Sequence, residues 1–178
     1  MNAAGGAPED PLYRRDPGAW YAHLAEGNRT QPRKRVAAQS IIHDGAGRLL
    51  LVDPSYKPDW DLPGGMVEAN EPPADAARRE LREELGLEIE LHGLLCVDWV
   101  EPHGPWDDLL VFVFDGGTLT AEQAAELTPT DGELADFAFF AYPQAQERLR
   151  DYVWQRTRAA LASKQTPSRV YLHGGQEA

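Results

Sequence analysis

One stretch of this chain constrains its fold more than any other: the segment from Pro72-Pro73 to about Leu85, closed by Gly86. Its residues are strong helix formers, two prolines open it, and a glycine stands where a helix needs a left-handed C-terminal residue. At 100° per residue, Glu83 lies 60° to one side of Glu80 and Glu84 lies 40° to the other. Three carboxylates therefore share one helix face. Ala74, Ala77, Leu81 and Leu85 form a neighbouring apolar stripe, which is expected to pack against a sheet. Taken alone, such an acidic face is a solvated one, neutralised by Arg78, Arg79 and Arg82. It acquires another meaning if a hard divalent cation sits among the carboxylates, because Mg2+ takes oxygen ligands and bridges them to phosphate oxygens.

The rest of the chain reads as strands around that helix. Val36–His43 and Arg48–Asp53 form a hairpin pattern across Asp44-Gly45-Ala46-Gly47, and Met66-Val67 suggests a short strand. Leu87–Val100 reads as one long strand region, Leu109–Phe114 as a buried strand, and Asp115-Gly116-Gly117 as a turn. Ala121–Glu126 suggests a helical turn and Phe137–Ala141 a strand. Gln144–Ser163 reads as one amphipathic helix. Strands with one helix between them and one after them predict an α+β fold, with a mixed β-sheet between helices.

The expected organisation is an N-terminal extension over 1–34, a central domain over 35–165 and a patternless tail over 166–178. The first eleven residues, rich in Gly, Ala and Pro, are read as disordered. Asp16 should cap a short helix with Pro17 at its first position. Trp20, Tyr21 and Leu24 share one side of it and are expected to dock it.

With 178 residues, the chain can bury a core without disulfides. The one cysteine, Cys96, sits in an apolar run and reads as a packing residue in a reducing, cytoplasmic setting. No stretch has the length or apolarity of a membrane span. The formal net charge of −12 disfavours nucleic acid and anionic lipid as partners. It also repels a free nucleotide unless a bound cation reverses the local field.

The residues around the helix complete a longer pattern. Gly65 is followed after five residues by Glu71. After seven more come Arg79, Glu80, Leu81, Arg82, Glu83, Glu84, Leu85, Gly86 and Leu87. This resembles the Nudix box at every position, G-x5-E-x7-R-E-U-x-E-E-x-G-U with U a bulky aliphatic residue. At ordinary residue usage, a chance match from a given start is on the order of 10^-8. Trp60-Asp61-Leu62-Pro63-Gly64-Gly65 looks like the family's lead-in.

The resemblance implies the αβα sandwich of Nudix hydrolases and Mg2+-dependent hydrolysis of a phosphoanhydride bond, with Mn2+ an alternative cation. The substrate implied is a nucleoside diphosphate linked to another moiety. A non-nucleotide diphosphate, isoprenoid or sugar, is the alternative, and a catalytically inactive binding module a third reading. By the same resemblance, Glu80, Glu83 and Glu84 are the metal ligands, joined by the Gly64 carbonyl. Glu71 pairs with Arg79, which holds a carboxylate in place. The base that takes the proton of the attacking water is Glu80 or lies in the loop Thr128–Glu133, where Glu133 stands ahead of Asp131. Substrate contacts are sought in variable loops: Trp106, which could stack on a flat group or cap the core, and Tyr56 and Lys57. Arg33, Lys34 and Arg35 form a basic cluster, a solvated lead-in to a strand in the simplest reading, and Arg35 is carried as a further substrate contact. A homodimer is a possibility the family suggests.

Overall fold

The computed structural model describes residues 10–130, 132–166 and 169–178. The chain forms two compact units, residues 1–33 and 34–178. The first contains α1 (Leu12–Arg15) and α2 (Pro17–Thr30). Asp16 caps α2 as expected, its carboxylate accepting from the Ala19 backbone N–H at 2.9 Å. Within this unit Trp20 meets Tyr13 and His23, while Tyr21 and Leu24 are exposed and no helix residue is buried. Of the eleven residues read as disordered, the first nine lie outside the described residues.

The second unit is built on a mixed sheet with strand order β6-β2-β1-β5-β4-β7-β8, and β3 pairs with β1 off this path. Its elements in chain order are β1 (Arg35–His43), β2 (Leu49–Pro54), β3 (Gly64–Met66), α3 (Pro73–Leu85), β4 (Gly93–Val100) and β5 (Leu109–Thr118). They are followed by α4 (Ala121–Glu126), β6 (Leu134–Phe140), α5 (Tyr142–Arg148), α6 (Asp151–Ser163), β7 (Val170–His173) and β8 (Gln176–Glu177). Strand β1 shows how the layers arise. Successive side chains point to opposite faces. Ala37 and Ile41 join Val153, Trp154 and Ala160 of α6 on one face. Ala38 meets Ala76 and Ala77 of α3 on the other, and Ile42 clusters there with Leu81 and Leu85. The result is the expected sandwich of helix, sheet and helix. Leu81 and Leu85 are fully buried, each contributing about 1.5–3 kcal/mol by leaving water.

The structure corrects five local expectations. The hairpin holds only at its turn, where His43 pairs with Leu49, because β3 takes the β1 edge from Ala37 to Gln39. The long strand over 87–100 begins only at Gly93; Leu87, Ile89 and Leu91 instead pack beneath α3 and α4 without ladder bonds. Asp115-Gly116-Gly117 is not a turn. It continues β5 through a bulge opposite Ile41 and Ile42, and a Cβ on Gly116 would stand 2.5 Å from Ile42 Cγ1. The single C-terminal helix is two. Leu149 and Arg150 are extended, with Leu149 buried beside Trp60 and Arg150 bound to Asp59 at 2.6 Å. Finally, the patternless tail supplies β7, parallel to β4, and β8.

Candidate functional site

Helix α3 begins after Pro72 and ends on Gly86, whose φ of 65° provides the left-handed cap. At its centre Arg79 ties together the residues read from the spacing. Its Nε and Nη2 grip both Glu71 oxygens at 2.9 Å, and Nη2 also donates to the Met66 carbonyl at 3.0 Å. Its Nη1 donates to Glu80 Oε1 and Glu83 Oε2, both at 2.9 Å. Glu71 also accepts from the Glu68 N–H, and the Arg79 guanidinium holds its carboxyl down to about 2. The loop before the helix is thereby locked onto it.

Gly64 and Gly65 connect the glutamates to the sheet. Gly64 has φ +130°, and a Cβ there would lie 2.2 Å from the Ala38 carbonyl. Its N–H donates to Glu84 Oε2 at 2.9 Å, anchoring this buried carboxylate. A Cβ on Gly65 would fall 2.6 Å from the Glu80 carboxyl carbon, so the absence of a side chain leaves room for that carboxylate. Burial pushes the Glu80 carboxyl up, opposed by Arg79 and aided by the charges of Glu83 and Glu133.

Glu133 is brought there by its loop. Thr130 donates through its hydroxyl to the Glu83 carbonyl and through its N–H to the Glu84 carbonyl, while Thr128 N–H caps Leu85. At the other end, the Glu133 carbonyl accepts from Ser55 N–H at 2.8 Å. The loop thus spans the last turn of α3 and the end of β2. Asp131, the other acidic candidate, lies outside the described residues.

On the α6 face of the sheet, beside Gly64 and Gly65, opens a cleft of about 370 Å3. It gathers all four expected substrate contacts, Arg35, Tyr56, Lys57 and Trp106, along with Gly64; Glu80, Glu83, Glu84 and Glu133 do not line it. The two glycines are where glutamates and cleft meet. Trp106 is exposed and lies under the Arg35 guanidinium at 4.5 Å, which removes the core-capping alternative. Its loop is a tight one, with reciprocal His103 and Trp106 backbone hydrogen bonds of 3.1 and 3.0 Å. Lys34, next to Arg35, pairs with Asp108, which also accepts from Trp99 Nε1 at 2.7 Å.

Beneath the cleft runs a polar chain that the sequence reading missed. Lys57 Nζ contacts Asp61 Oδ2 at 2.5 Å, Asp61 Oδ1 accepts from Gln39 Nε2 at 2.8 Å, and Gln39 Oε1 accepts from Arg156 Nη1 at 3.0 Å. Arg156 Nε then donates to Asp98 Oδ2 at 2.8 Å. Two signals were available: Asp98 interrupts the apolar run of β4, and Arg156 falls on the core side of its helix.

Among the described residues, no three acidic, His or Cys side chains already converge as a ligand cluster. The donor set nevertheless suits a hard cation: three carboxylates project from one helix face, two of them already gathered on a positive charge by Arg79. The residues present thus fit Mg2+ by chemistry.

A family model for the NUDIX domain matches residues 33–162. The NAD-capped RNA hydrolase NudC of Mycobacterium tuberculosis H37Ra is 29% identical over 157 residues, covering 86% of this chain and 47% of that protein. The chain therefore spans about half the length of the curated relatives it matches. Among solved structures, a MutT NUDIX hydrolase from Burkholderia pseudomallei superposes with a TM-score of 0.60 at 26% identity, covering 74% of this chain and 98% of its own. A UDP-X diphosphatase gives a TM-score of 0.63 at 20% identity, covering 86% and 74%. The match to the domain model over most of the chain, with the box residues arranged around Arg79, places this protein in the NUDIX family.

Proposed function

We propose that this protein is a hydrolase that cleaves a phosphoanhydride bond in a nucleoside diphosphate linked to a second moiety. One observation carries the reading: the glutamate face of α3 and a cation-lined cleft meet at Gly64 and Gly65. Glu80, Glu83 and Glu84, with the Gly64 carbonyl, would hold Mg2+ or Mn2+. When bound, the cation would supply charge neutralisation at the diphosphate and a more acidic water.

The remaining roles belong to the chain itself. Arg79 holds Glu80 and Glu83 in register, and Gly64 N–H holds Glu84. Glu133 serves as the base that takes the proton from the attacking water, in a loop fixed at both ends. Arg35 offers the cleft a positive charge, since among the described residues no carboxylate pairs with it, whereas Lys57 is matched by Asp61. Trp106 offers a flat face to a base. Tyr56, exposed beside Lys57, borders the mouth. This favours a nucleotide over an isoprenoid diphosphate, whose tail has no ring to stack. The mycobacterial relative's name, with its NAD cap, agrees with a diphosphate joined to a second group. The net charge of −12 favours a small substrate.

The test is a phosphate-release screen with and without Mg2+, coupled to a phosphatase where the product is a monophosphate. It covers nucleoside diphosphate conjugates and prenyl diphosphates. Cation-dependent turnover of the conjugates, lost in Glu84→Gln, is expected. Turnover of prenyl diphosphates alone, or none at all, would overturn the reading.

A further inference from the structure

Arg156 is a charged side chain only 3% exposed, yet it lines the cleft. Its surroundings account for most of it. Asp98, fully buried, takes Nε at 2.8 Å and cancels the charge. Gln39 takes Nη1 at 3.0 Å. The Tyr152 ring lies 5.7 Å from the guanidinium carbon. Among the described residues Nη2 makes no hydrogen bond, and it is not one of the buried polar atoms left without a partner, so it is the part of this side chain that the cleft reaches. Gln39 has spent both ends of its amide, on Arg156 and Asp61. The cleft floor therefore presents a directional N–H donor whose positive charge is already neutralised.

That combination suits a neutral acceptor better than an anion. The uncompensated cation of the cleft is Arg35, stacked on Trp106 at its rim. Apolar Val100, Leu109 and Val111 line the space between. An aromatic rim, apolar walls and the Arg156 donor describe a slot for a flat ring with an oxygen at its edge.

We infer that Arg156 is a specificity-determining residue, whose Nη2 donates to a carbonyl oxygen on a planar ring of the substrate. The inference rests on the nucleotide reading of the same cleft. Arginine has no acceptor, so a ring with an amino group at that edge would set donor against donor. Inosine and adenosine monophosphates differ in this respect, keto against amino at one ring position.

Binding of inosine monophosphate, adenosine monophosphate and inorganic phosphate is measured by calorimetry on the full chain in EDTA. No turnover is needed, so failure of the hydrolase reading leaves this result interpretable. Inosine monophosphate should bind about tenfold more tightly than the adenosine compound, the scale of one good base-edge contact. Arg156→Lys keeps the charge opposite Asp98 but loses the planar fork, and should bring the ratio close to one. If this variant fails to fold, the ligand comparison on the unaltered chain still decides. Equal affinity for the two nucleotides, no binding of either, or a ratio retained in Arg156→Lys would overturn the inference. So would a loss of inorganic phosphate binding in the variant equal to its loss of inosine monophosphate binding, which would make Arg156 a phosphate grip.

Discussion

Adding one methyl group at either of two adjacent glycines should have opposite consequences. At Gly64 the new carbon would meet backbone: the Ala38 carbonyl at 2.2 Å and Gln39 Cα at 2.8 Å, with φ at +130°. Neither atom can swing aside. Backbone strain of about 1–3 kcal/mol and overpacking of about 1–3 kcal/mol should together cost on the order of 3–5 kcal/mol. For a domain of this size that lowers the melting temperature by roughly 10 °C or more. At Gly65 the obstacle is the end of the Glu80 side chain, 2.6 Å away, and φ lies outside the left-handed region. The carboxylate can rotate away, and alanine also restricts the unfolded chain, an offset of about 0.4–1 kcal/mol. Gly65→Ala should therefore melt within a few degrees of the wild type. The displaced Glu80 should cost turnover on the order of 10–100-fold, the scale seen when the support of a metal ligand is disturbed. Calorimetric melting and cation-dependent phosphate release, run on both variants, separate the two effects. A fully active Gly65→Ala, or one destabilised as much as Gly64→Ala, would refute the reasoning.

Glu83→Gln and Glu84→Gln should each lower cation-dependent turnover by about tenfold or more while melting normally, because in the latter the amide oxygen still accepts from Gly64 N–H; loss of folding would contradict this. Asp98→Ala should destabilise by roughly 3–5 kcal/mol in urea titrations, since it strands a buried Arg156; an unchanged midpoint would show that the pair carries no such weight. The Glu71 carboxyl is depressed to about 2 in the fold, so its contribution is complete above the ordinary 4.5 and fades as pH falls from there towards 2. Acid titration of Glu71→Gln should lack that component. His43 is held below its ordinary 6.5 by burial and by Lys164. The unfolded chain then takes up the proton first, and stability should decline as pH drops below 6.5, a limb that His43→Gln removes.

The box was legible because its chemistry is local. Glu71, Arg79, Glu80, Glu83 and Glu84 lie close together in the chain, and helical geometry alone sets three carboxylates on one side. The sandwich was legible for a similar reason, since the apolar stripe of α3 demands a sheet beneath it. What escaped was decided at long range. Nothing local distinguishes Leu87–Leu91, which packs beneath the helices outside the sheet ladder, from a strand. The break at Leu149 and Arg150 is set by Trp60 and Asp59, far earlier in the chain. The polar chain under the cleft is likewise assembled from β1, β4, α6 and the lead-in to β3, so no window of sequence contains it. Arg35, Trp106, Tyr56 and Lys57 were individually weak signals, and only the fold puts them around one space.

The last strands of the second unit have a practical consequence. β7 runs alongside β4, and just beyond it the Gly175 N–H donates at 3.1 Å to Asp98 Oδ1, the carboxylate that also receives Arg156. A Cβ on Gly175 would lie 2.5 Å from the Tyr152 carbonyl, so this stretch is seated tightly against α6. Shortening the chain by its last few residues, or loading them with a bulky fusion partner, would disturb a hydrogen bond two steps from the floor of the cleft. Proteolytic trimming near Gly174 removes the Gly175 donor from Asp98, so the proposed selectivity of Arg156 is best compared between preparations whose intact mass has been checked.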